Sequence, residues 1–317
     1  WAGGEHIDEG YVINQKNNPF DVIGRESLHY DIFINANMLT KVDPLSVLSI
    51  FICHFPDRDR ERFFSVDRYT HILTNGDYGS FWLRRRWGLD PTLRLYPPVD
   101  MYHGAEGADG KSRIILSAAR FEACGSKKQL EMVRAFVRLC RMDRRVEQEW
   151  RFILAGGSEE DNPYLDLLKR EIRVSRAANI EILSNLTKAD MLRLYGDAAI
   201  FWHGCGLGEK DPHLVEHFGM TTVEAMQNFC VPIAINGGGQ REIIEHGVSG
   251  FLFDTVEELL SLTLEIMGDD ELRKRMARGA YERSHRFNAE AFRTDALSFF
   301  ANLENRLRGG EPAAPCR

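Results

Sequence analysis

The chain has 317 residues, of which 44% are hydrophobic and 27% are charged, and its formal net charge is −7. This length suits about two domains of roughly 150 residues each, and the composition is that of an ordinary globular protein. The negative charge argues against a general nucleic-acid-binding protein, which is usually basic, and the absence of any run of about 18 apolar residues predicts no membrane-spanning helix.

The first third of the chain alternates apolar runs of strand length with polar segments, which predicts an α/β fold with a parallel sheet. The best candidate helix there covers residues 78–87. Prolines, glycines and acidic residues then cluster over 97–112, which is typical of an interdomain linker. We therefore expect an amino-terminal domain over residues 1–108. Its candidate strands are 31–35, 49–54, 71–74 and 93–96.

After the linker the alternation becomes regular and predicts a complete doubly wound domain over residues 109–290, followed by a carboxyl-terminal helix and tail over 291–317. The predicted strands are 113–117, 151–155, 180–183, 198–202, 231–235 and 251–253. The predicted helices are 127–140, 163–175, 188–195, 222–227 and 241–246, with three amphipathic helices near 256–267, 270–285 and 288–308.

Six cysteines are scattered along the chain without a C-x-x-C pair, so their spacing indicates no metal site. Cys53 and Cys230 lie inside apolar stretches. We expect reduced, buried thiols in a cytoplasmic protein.

Residues 216–226 read EHFGMTTVEAM, in which Glu216 and Glu224 stand on either side of Gly219. One interpretation is structural: Thr221-x-x-Glu224 forms a capping box, in which the threonine hydroxyl and the glutamate satisfy backbone N–H groups at the start of a helix. This interpretation gives no role to Glu216, which precedes the helix.

A functional interpretation accounts for both carboxylates. The loop before this helix is long and glycine-containing, and it leaves the carboxyl end of a strand, where open α/β sheets bind ligands. The amino terminus of a helix attracts phosphate, and Gly219 lets the backbone approach it closely. A carboxylate on each side can then accept hydrogen bonds from the hydroxyls of a ribose and of a sugar. The pattern favours a nucleoside-diphosphate sugar as the ligand.

Two further features suggest that an anion binds here. The triple glycine 237–239 lies between a predicted strand and a predicted helix, where it either cradles phosphate or makes a simple tight turn. Arg120 ends a strand, and Lys127 and Lys128 open the next predicted helix, where they oppose its dipole. Such a conflict is expected where function outweighs stability, and solvated surface charge is the alternative.

Three segments, AARFEACGSKKQLEMVRAF, RFILAGG and EHFGMTTVEAMQNFCVPIAINGGGQREIIEHGVSGFLF, resemble in this order the retaining glycosyltransferases of family 4. The resemblance covers roughly residues 93–290. The form EHFG, together with LYPPVD over 95–100, is most similar to lipid-linked-oligosaccharide mannosyltransferases and their bacterial relatives. It implies a GT-B fold with two Rossmann-like domains. It also implies a hexosyltransferase that moves a sugar from a UDP- or GDP-linked donor to a lipid-linked or other glycan, without metal or cofactor.

The resemblance also assigns roles to individual residues. Arg120 and Lys127 match the basic pair that holds the donor diphosphate, although Lys128 competes with Lys127 for this role. Glu216 matches the carboxylate near the donor sugar and is a catalytic candidate. Glu224 matches the carboxylate that binds the ribose hydroxyls.

The backbone that runs along the diphosphate matches Phe218, Gly219, Met220 and Thr221 of this chain. In the amino-terminal domain, FICHFP resembles the strand whose histidine faces the donor sugar, which makes His54 a second catalytic candidate; a core or surface histidine is the alternative. Family members open with a strand and a glycine-rich turn that we do not find here. We therefore expect the first of the two Rossmann-like domains to be incomplete.

Other interpretations stay open at this point. Asp57-Arg58-Asp59 matches a metal-binding D-x-D, although surface salt bridges are the simpler account of it. A nucleotide-sugar epimerase with the same fold and a non-catalytic nucleotide-sugar-binding protein are the functional alternatives. FWLRRRWG over 81–88 suits either a peripheral contact with anionic lipid at the inner face of a membrane or a half-buried helix with a solvated face.

Overall fold

A computed structural model of the chain describes residues 19–37, 42–58, 66–101, 107–177 and 179–308. The chain divides into two compact units. The described residues of 1–75, 79–95 and 299–317 form the first unit, and 76–78 together with 96–298 form the second. The boundary thus falls after Leu95 rather than after residue 108, and the end of the last helix groups with the first unit instead of following the second as a separate segment.

The first unit contains a four-stranded parallel sheet with the strand order β1-β2-β3-β4. Its core packs aromatic rings against aliphatic side chains, with Phe51, Tyr69 and Trp87 all buried. All four strands were predicted, whereas the helix α1 was not. The elements are α1 Pro19–Glu26, β1 Ile32–Asn35, β2 Leu48–Cys53, β3 His71–Thr74, α2 Asp77–Trp87 and β4 Leu93–Arg94.

The second unit contains a six-stranded parallel sheet with the strand order β10-β9-β8-β5-β6-β7. Counted along the chain within this unit, the order is 3-2-1-4-5-6 read from β7, which is that of a doubly wound nucleotide-binding fold. The order reverses between β5 and β8, and this topological switch point is where such sheets bind ligands. The strands are β5 Ser112–Ala118, β6 Arg151–Gly156, β7 Ile180–Ser184, β8 Ala198–His203, β9 Val231–Ile235 and β10 Phe251–Phe253.

Polar caps begin most of the helices that cover this sheet. The side chains of Asn162, Thr187, Thr255 and Asp269 each accept a hydrogen bond from a backbone N–H in the first turn that follows. The six-residue helix α4 was not predicted. The helices are α3 Gln129–Met142, α4 Arg144–Glu149, α5 Pro163–Ser175, α6 Lys188–Asp197, α7 Met220–Gln227, α8 Gln240–Ile243, α9 Val256–Gly268, α10 Asp270–Ser284 and α11 Ala289–Arg308.

The central strands of the second sheet are buried on both faces, as a parallel sheet covered by helices requires. Every residue of β8 and of β9 is buried, and Trp202 donates its indole N–H to the hydroxyl of Thr263 at 3.0 Å. Cys53, Cys140, Cys205 and Cys230 are buried free thiols, as predicted, whereas Cys124 is exposed. Among the described helices, none combines the length and the apolar character that a membrane crossing needs.

Candidate functional site

The switch point brings together two loops that are far apart in sequence. One loop follows β5 and carries Lys127, and the other follows β8 and carries Glu216. Because β5 and β8 are parallel neighbours, both loops leave the same edge of the sheet. There, the Nζ atom of Lys127 lies 3.1 Å from Oε2 of Glu216. The basic loop and the first carboxylate of the E-x7-E pattern therefore belong to one site.

A buried histidine completes this ion pair. His203, the last residue of β8, is 4% exposed, and its Nε2 lies 3.5 Å from the same Glu216 oxygen, Oε2. Burial alone would raise the pKa of Glu216, but His203 and Lys127 outweigh it and hold that pKa well below its ordinary value. Burial likewise acts to lower the pKa of Lys127, and the Glu216 carboxylate reverses the sign and raises it. Both groups are therefore charged at neutral pH.

The two neighbouring lysines have different partners. Helix α3 begins at Gln129, so the prediction that Lys127 and Lys128 open this helix was wrong by two residues. Lys128 is the residue before the helix, with φ of 61°, a left-handed conformation that is uncommon for a residue with a side chain. Its ammonium pairs with Glu209, which leaves Lys127 as the lysine that contacts Glu216.

Arg120 lies on the same loop but does not join the pair. Its side chain is 77% exposed and pairs with Oε1 of Glu122 at 2.9 Å. Its carbonyl accepts a hydrogen bond from the amide of Gln129 at 2.9 Å, which ties the loop to the start of α3. Arg120 and Glu122 line one wall of a cleft of about 420 Å³, whose other wall is the loop 157–163 after β6.

The two glycine turns predicted from the sequence are in direct backbone contact. The N–H of Gly239 donates to the carbonyl of Glu216 at 3.0 Å. A Cβ atom added at Gly238 would lie less than 3.0 Å from that same carbonyl oxygen, and one at Gly239 would clash with the backbone of Phe218. The triple glycine is therefore more than a tight turn, because only glycine permits this approach between 237–239 and the E-x7-E segment.

The capping-box interpretation of Thr221 and Glu224 is wrong. Helix α7 begins at Met220, and its N-cap residue is Gly219, with φ of 116° and no side chain to cap the helix. The Glu224 carboxylate instead accepts a hydrogen bond from the hydroxyl of Tyr195 at 2.7 Å. The first N–H groups of a helix have no partners within the helix, so this amino terminus presents backbone donors and partial positive charge without a side-chain cap.

Unsatisfied polar groups are buried behind this helix terminus. The hydroxyl of Thr222 and both polar atoms of the Gln240 side chain have no hydrogen-bond partner among the described residues, and both residues are fully buried. A Cβ at Gly219 would lie 2.5 Å from the Gln240 amide nitrogen, so this side chain packs directly under the turn. Unsatisfied buried groups destabilise a fold by about 1–3 kcal/mol each, and such local conflicts are expected at functional sites.

Two further candidates in the E-x7-E segment, Phe218 and Met220, differ in burial. Phe218 is buried, and its ring lies 5.7 Å from those of Tyr96 and Phe287, so its side chain fixes the segment to the core and only its backbone can line a ligand. Met220 is exposed at the helix start. Burial raises the pKa of Glu224, which the Tyr195 hydrogen bond partly offsets.

His54 lies in the first unit, directly after β2. It is exposed, and its Nε2 is 3.0 Å from the carbonyl of Ala36. In the nearby D-x-D, the Asp57 carboxylate accepts the N–H of Arg58, and Asp59 lies outside the described residues. Within the part of the chain that the structure describes, no three or more His, Cys, Asp or Glu side chains are grouped so as to hold a metal ion.

Sequence reasoning missed three residues of this site. His203 could have been found, because it directly follows the predicted strand 198–202, at the edge where ligands bind. Tyr195 and Gln240 could not, because only the fold places them against Glu224 and Gly219.

Comparisons with known proteins place this arrangement in a family. The profile of the family described as "Glycosyl transferases group 1" matches residues 99–283, more than half of the chain. The chain belongs to this family. The match covers every candidate residue of the second unit, so the Lys127–Glu216 pair belongs to a glycosyltransferase, and the resemblance to glycosyltransferases that the sequence analysis found is confirmed.

Individual relatives agree with this assignment. The glycosyltransferase is 29% identical to mouse "Alpha-1,3/1,6-mannosyltransferase ALG2" over 92% of this chain and 76% of the relative. It is 25% identical to the "GDP-Man:Man(3)GlcNAc(2)-PP-Dol alpha-1,2-mannosyltransferase" of Dictyostelium discoideum, over 74% of this chain and 48% of that protein. In fold it is similar to Anabaena Alr3699/HepE, solved in complex with UDP and glucose, with a TM-score of 0.67 and 16% identity over 88% of this chain and 80% of that one. The predicted α/β GT-B fold is thereby confirmed.

Proposed function

We propose that this glycosyltransferase moves a hexose from a nucleoside-diphosphate sugar to a glycan acceptor with retention of anomeric configuration. The observation that carries the proposal is the Lys127–Glu216 ion pair at 3.1 Å, located at the switch point of a doubly wound sheet beside the uncapped amino terminus of α7. An ammonium group, a helix terminus and a carboxylate at one place suit a ligand that carries both phosphate and hydroxyl groups.

In this proposal the donor lies along the carboxyl edge of the sheet. The diphosphate binds the Lys127 ammonium and the N–H groups that follow Gly219, and Arg120 reaches it from the same loop as Lys127. The nucleoside enters the cleft of about 420 Å³ beside Arg120, a size that suits small ligands. Glu224 accepts hydrogen bonds from the ribose hydroxyls, and Glu216 accepts one from the sugar through its Oε1 atom.

Departure of the nucleoside diphosphate builds negative charge on the leaving phosphate. Lys127 and the positive end of α7 are fixed in place before the reaction, so they stabilise that charge as it develops. The proposal needs no cofactor, and the ammonium and helix terminus take the role that a divalent metal has in other glycosyltransferases. His54 of the first unit stays the second catalytic candidate.

The relatives narrow the proposed substrates. Both curated relatives are named as mannosyltransferases, and the name of the Dictyostelium protein specifies GDP-mannose and a dolichyl-diphosphate-linked oligosaccharide. We therefore propose GDP-mannose as the donor, with UDP sugars as the competing donors, and a lipid-linked glycan as the acceptor. A lipid-linked acceptor suits a cytoplasmic protein that contacts the membrane peripherally.

Helix α2 is the proposed membrane contact. Phe81, Arg84 and Arg85 are exposed on it, although Arg84 pairs with Asp90, whereas Arg86 stacks over Trp82. Two of the three arginines and one aromatic side chain are thus presented to a surface, and one of those arginines already has an acidic partner. The membrane contact would therefore be weak by itself, since stable peripheral binding needs several such groups.

Product analysis tests the proposed reaction. The full chain is incubated with GDP-mannose and a lipid-diphosphate-linked oligosaccharide, and the product linkage is assigned by NMR. We expect an α-mannoside, with released GDP in equal amount. Release of an isomerised nucleotide sugar without acceptor would favour the epimerase, and tight donor binding without any GDP release would favour the non-catalytic protein.

A further inference from the structure

We propose that Tyr195 is a positioning residue for donor recognition, which orients the Glu224 carboxylate so that Glu224 can select for the ribose hydroxyls. This inference rests on the proposed function, because that proposal assigns the ribose to Glu224. The sequence analysis gave Tyr195 no role, and the family match assigns it none. The inference is carried by the geometry around the two side chains.

The contact between the two residues is short and buried. The Tyr195 hydroxyl donates to Oε2 of Glu224 at 2.7 Å, although the residues are 29 positions apart. Tyr195 is fully buried in the last turn of α6, among the apolar side chains between that helix and the sheet, including Phe201 and Ala225. Such packing leaves the phenol ring one orientation, so the hydroxyl has a fixed position.

The backbone of Tyr195 is fixed as well. The ammonium of Lys111 donates to the Tyr195 carbonyl at 3.0 Å and to that of Gly196 at 2.7 Å, and it also contacts the carbonyl of Asn228. The thiol of Cys230 donates to the Tyr195 carbonyl at 3.2 Å. The end of α6 is therefore tied to the end of α7, on which Glu224 lies. Because both the ring and the backbone of Tyr195 are fixed, its hydroxyl can orient the Glu224 carboxylate.

The carboxylate then has one occupied and one available oxygen. The hydrogen bond from Tyr195 falls on Oε2, and no other described residue gives Oε1 a partner. Burial and the neighbouring Glu224 charge both hold the pKa of Tyr195 well above its ordinary value, so the hydroxyl keeps its proton and stays a donor. Without it, the carboxylate of Glu224 could rotate, and its available oxygen would no longer meet the ribose in one orientation. Binding would lose the advantage of a preorganised acceptor.

A purely structural role is the competing explanation. In that case the hydrogen bond only satisfies a buried hydroxyl, and its removal lowers stability without changing how ribose is recognised. The two explanations differ in one measurable ratio: the Kd of a deoxyribose nucleotide divided by the Kd of the parent nucleotide. Stability alone cannot separate them, whereas this ratio can.

The test uses the full chain with GDP or UDP, whichever it binds more tightly, and with the 2′-deoxy and 3′-deoxy forms of that nucleotide. Isothermal titration calorimetry gives the Kd of each. For the wild type we expect at least one deoxy form to bind about tenfold more weakly, which is about 1.4 kcal/mol. Tyr195→Phe should weaken binding of the parent nucleotide severalfold, leave the deoxy form nearly unchanged, and so bring the ratio to about 1 to 3.

Tyr69→Phe is the matched control. Tyr69 is another fully buried tyrosine, its hydroxyl donates to the Val42 carbonyl at 3.0 Å, and it lies in the first unit. Tyr69→Phe should lower the midpoint of thermal unfolding by about as much as Tyr195→Phe does, and it should leave the ratio of the two Kd values at its wild-type value. If Tyr195→Phe does not fold, Tyr195→Met removes the same hydroxyl with an adaptable apolar side chain.

The outcomes separate the inference from the function on which it rests. A wild-type ratio near 1 for both deoxy forms would show that Glu224 does not bind the ribose hydroxyls. It would overturn both that part of the proposed function and the positioning role of Tyr195. A tenfold wild-type ratio that persists in the folded Tyr195 variant would leave the assignment of Glu224 intact and overturn the positioning role. A tenfold ratio that collapses in the Tyr195 variant but not in Tyr69→Phe supports the inference.

Discussion

Gly238 and the carbonyl of Glu216 are so close that a single methyl group between them would collide with the oxygen. Gly238 also has a φ of 57°, in the left-handed region. Gly247 shares a left-handed φ, of 79°, but an added Cβ there would meet nothing within 4 Å. These two glycines therefore separate the effect of backbone strain from that of the close approach.

We predict that Gly238→Ala destabilises the protein by about 3 kcal/mol or more and removes donor binding, because the clash must displace the Glu216 backbone. Gly247→Ala should lower stability by only about 1 kcal/mol, the effect of left-handed strain, and should keep donor binding. Urea unfolding and calorimetric titration measure the two effects. Equal behaviour of the two variants would show that the contact between the glycine turns is unimportant.

The two lysines before α3 should differ in their effect on donor binding. We predict that Lys127→Ala weakens nucleoside-diphosphate binding about tenfold to a hundredfold, the usual contribution of a charge-assisted hydrogen bond of about 1.5–3 kcal/mol. Lys128→Ala should weaken it less than about threefold, because that ammonium pairs with Glu209 instead. Calorimetry with GDP compares the pair. A larger loss of GDP affinity for Lys128→Ala than for Lys127→Ala would show that Lys128 binds the diphosphate.

Two substitutions of Glu224 should have different effects on stability but similar effects on nucleotide binding. We predict that Glu224→Ala destabilises the fold by about 1–3 kcal/mol, because it leaves the buried Tyr195 hydroxyl without its acceptor. Glu224→Gln keeps an oxygen for that hydroxyl and should recover most of the stability, while nucleotide affinity stays low. Thermal unfolding and calorimetry on the same samples test this. Wild-type affinity in the folded glutamine variant would show that the negative charge has no role in the donor site.

The sequence predicted all ten strands. Strands that are buried on both faces, such as β8 and β9, are continuous apolar runs, as expected of a covered parallel sheet. The helices α1 and α4 were missed. The capping box failed for a physical reason that the sequence does not display. Gly219 adopts a left-handed conformation and is the N-cap of α7, so the helix begins before Thr221. The Glu224 carboxylate accepts a hydrogen bond from Tyr195 instead of from the backbone at the helix start.

The sequence could predict only those parts of the site that the sheet topology determines, because the topology follows from the alternation of predicted strands and helices. Lys127 and Glu216 are 89 residues apart, yet alternating strands and helices place both at the carboxyl edge of one sheet. The pattern could not show which lysine meets Glu216, because that depends on the left-handed backbone at Lys128. Nor could it show that His203 contacts the same oxygen, since the path of the loop after β8, which returns Glu216 to the end of that strand, decides it.

His217 should make stability depend on pH. Burial lowers its pKa to about 4, so it is neutral in the folded protein at pH 5, whereas the unfolded chain takes up a proton near pH 6.5. The unfolded state then binds more protons, and stability is lost as pH falls below about 6.5. We predict a loss of about 1–2 kcal/mol between pH 7.5 and 5 from this residue.

Urea titrations at several pH values measure that loss. Below pH 5 the carboxylates begin to protonate, so the comparison is confined to pH 5–8. His217→Gln should flatten the profile over this range, and substitution of the exposed His29 should leave it unchanged. An identical slope in wild type and His217→Gln would show that burial does not lower the pKa of His217 in the folded protein.

The segment 96–101 belongs to the second unit and should decide whether that unit folds alone. The Tyr96 ring lies 5.0 Å from that of Phe287, and the N–H of Val99 donates to the Phe287 carbonyl at 2.8 Å. The Gln227 side chain, at the end of α7, accepts the N–H of Met101 at 2.8 Å. A fragment that begins at residue 109 loses all of these contacts, including the hydrogen bond to the end of α7, the helix whose amino terminus is the proposed diphosphate site.

We therefore predict that a fragment covering residues 96–298 folds cooperatively and binds GDP, while one covering 109–298 is less stable by several kcal/mol, as expected for the loss of buried aromatic and backbone contacts. Neither should transfer sugar, because transfer also needs an acceptor and a closed site that excludes water. Neutralising Arg120 and Lys127 together in the longer fragment should abolish its GDP binding. Circular dichroism and calorimetry check each step. If the longer fragment has a folded spectrum but does not bind GDP, residues of the first unit make essential contacts with the donor.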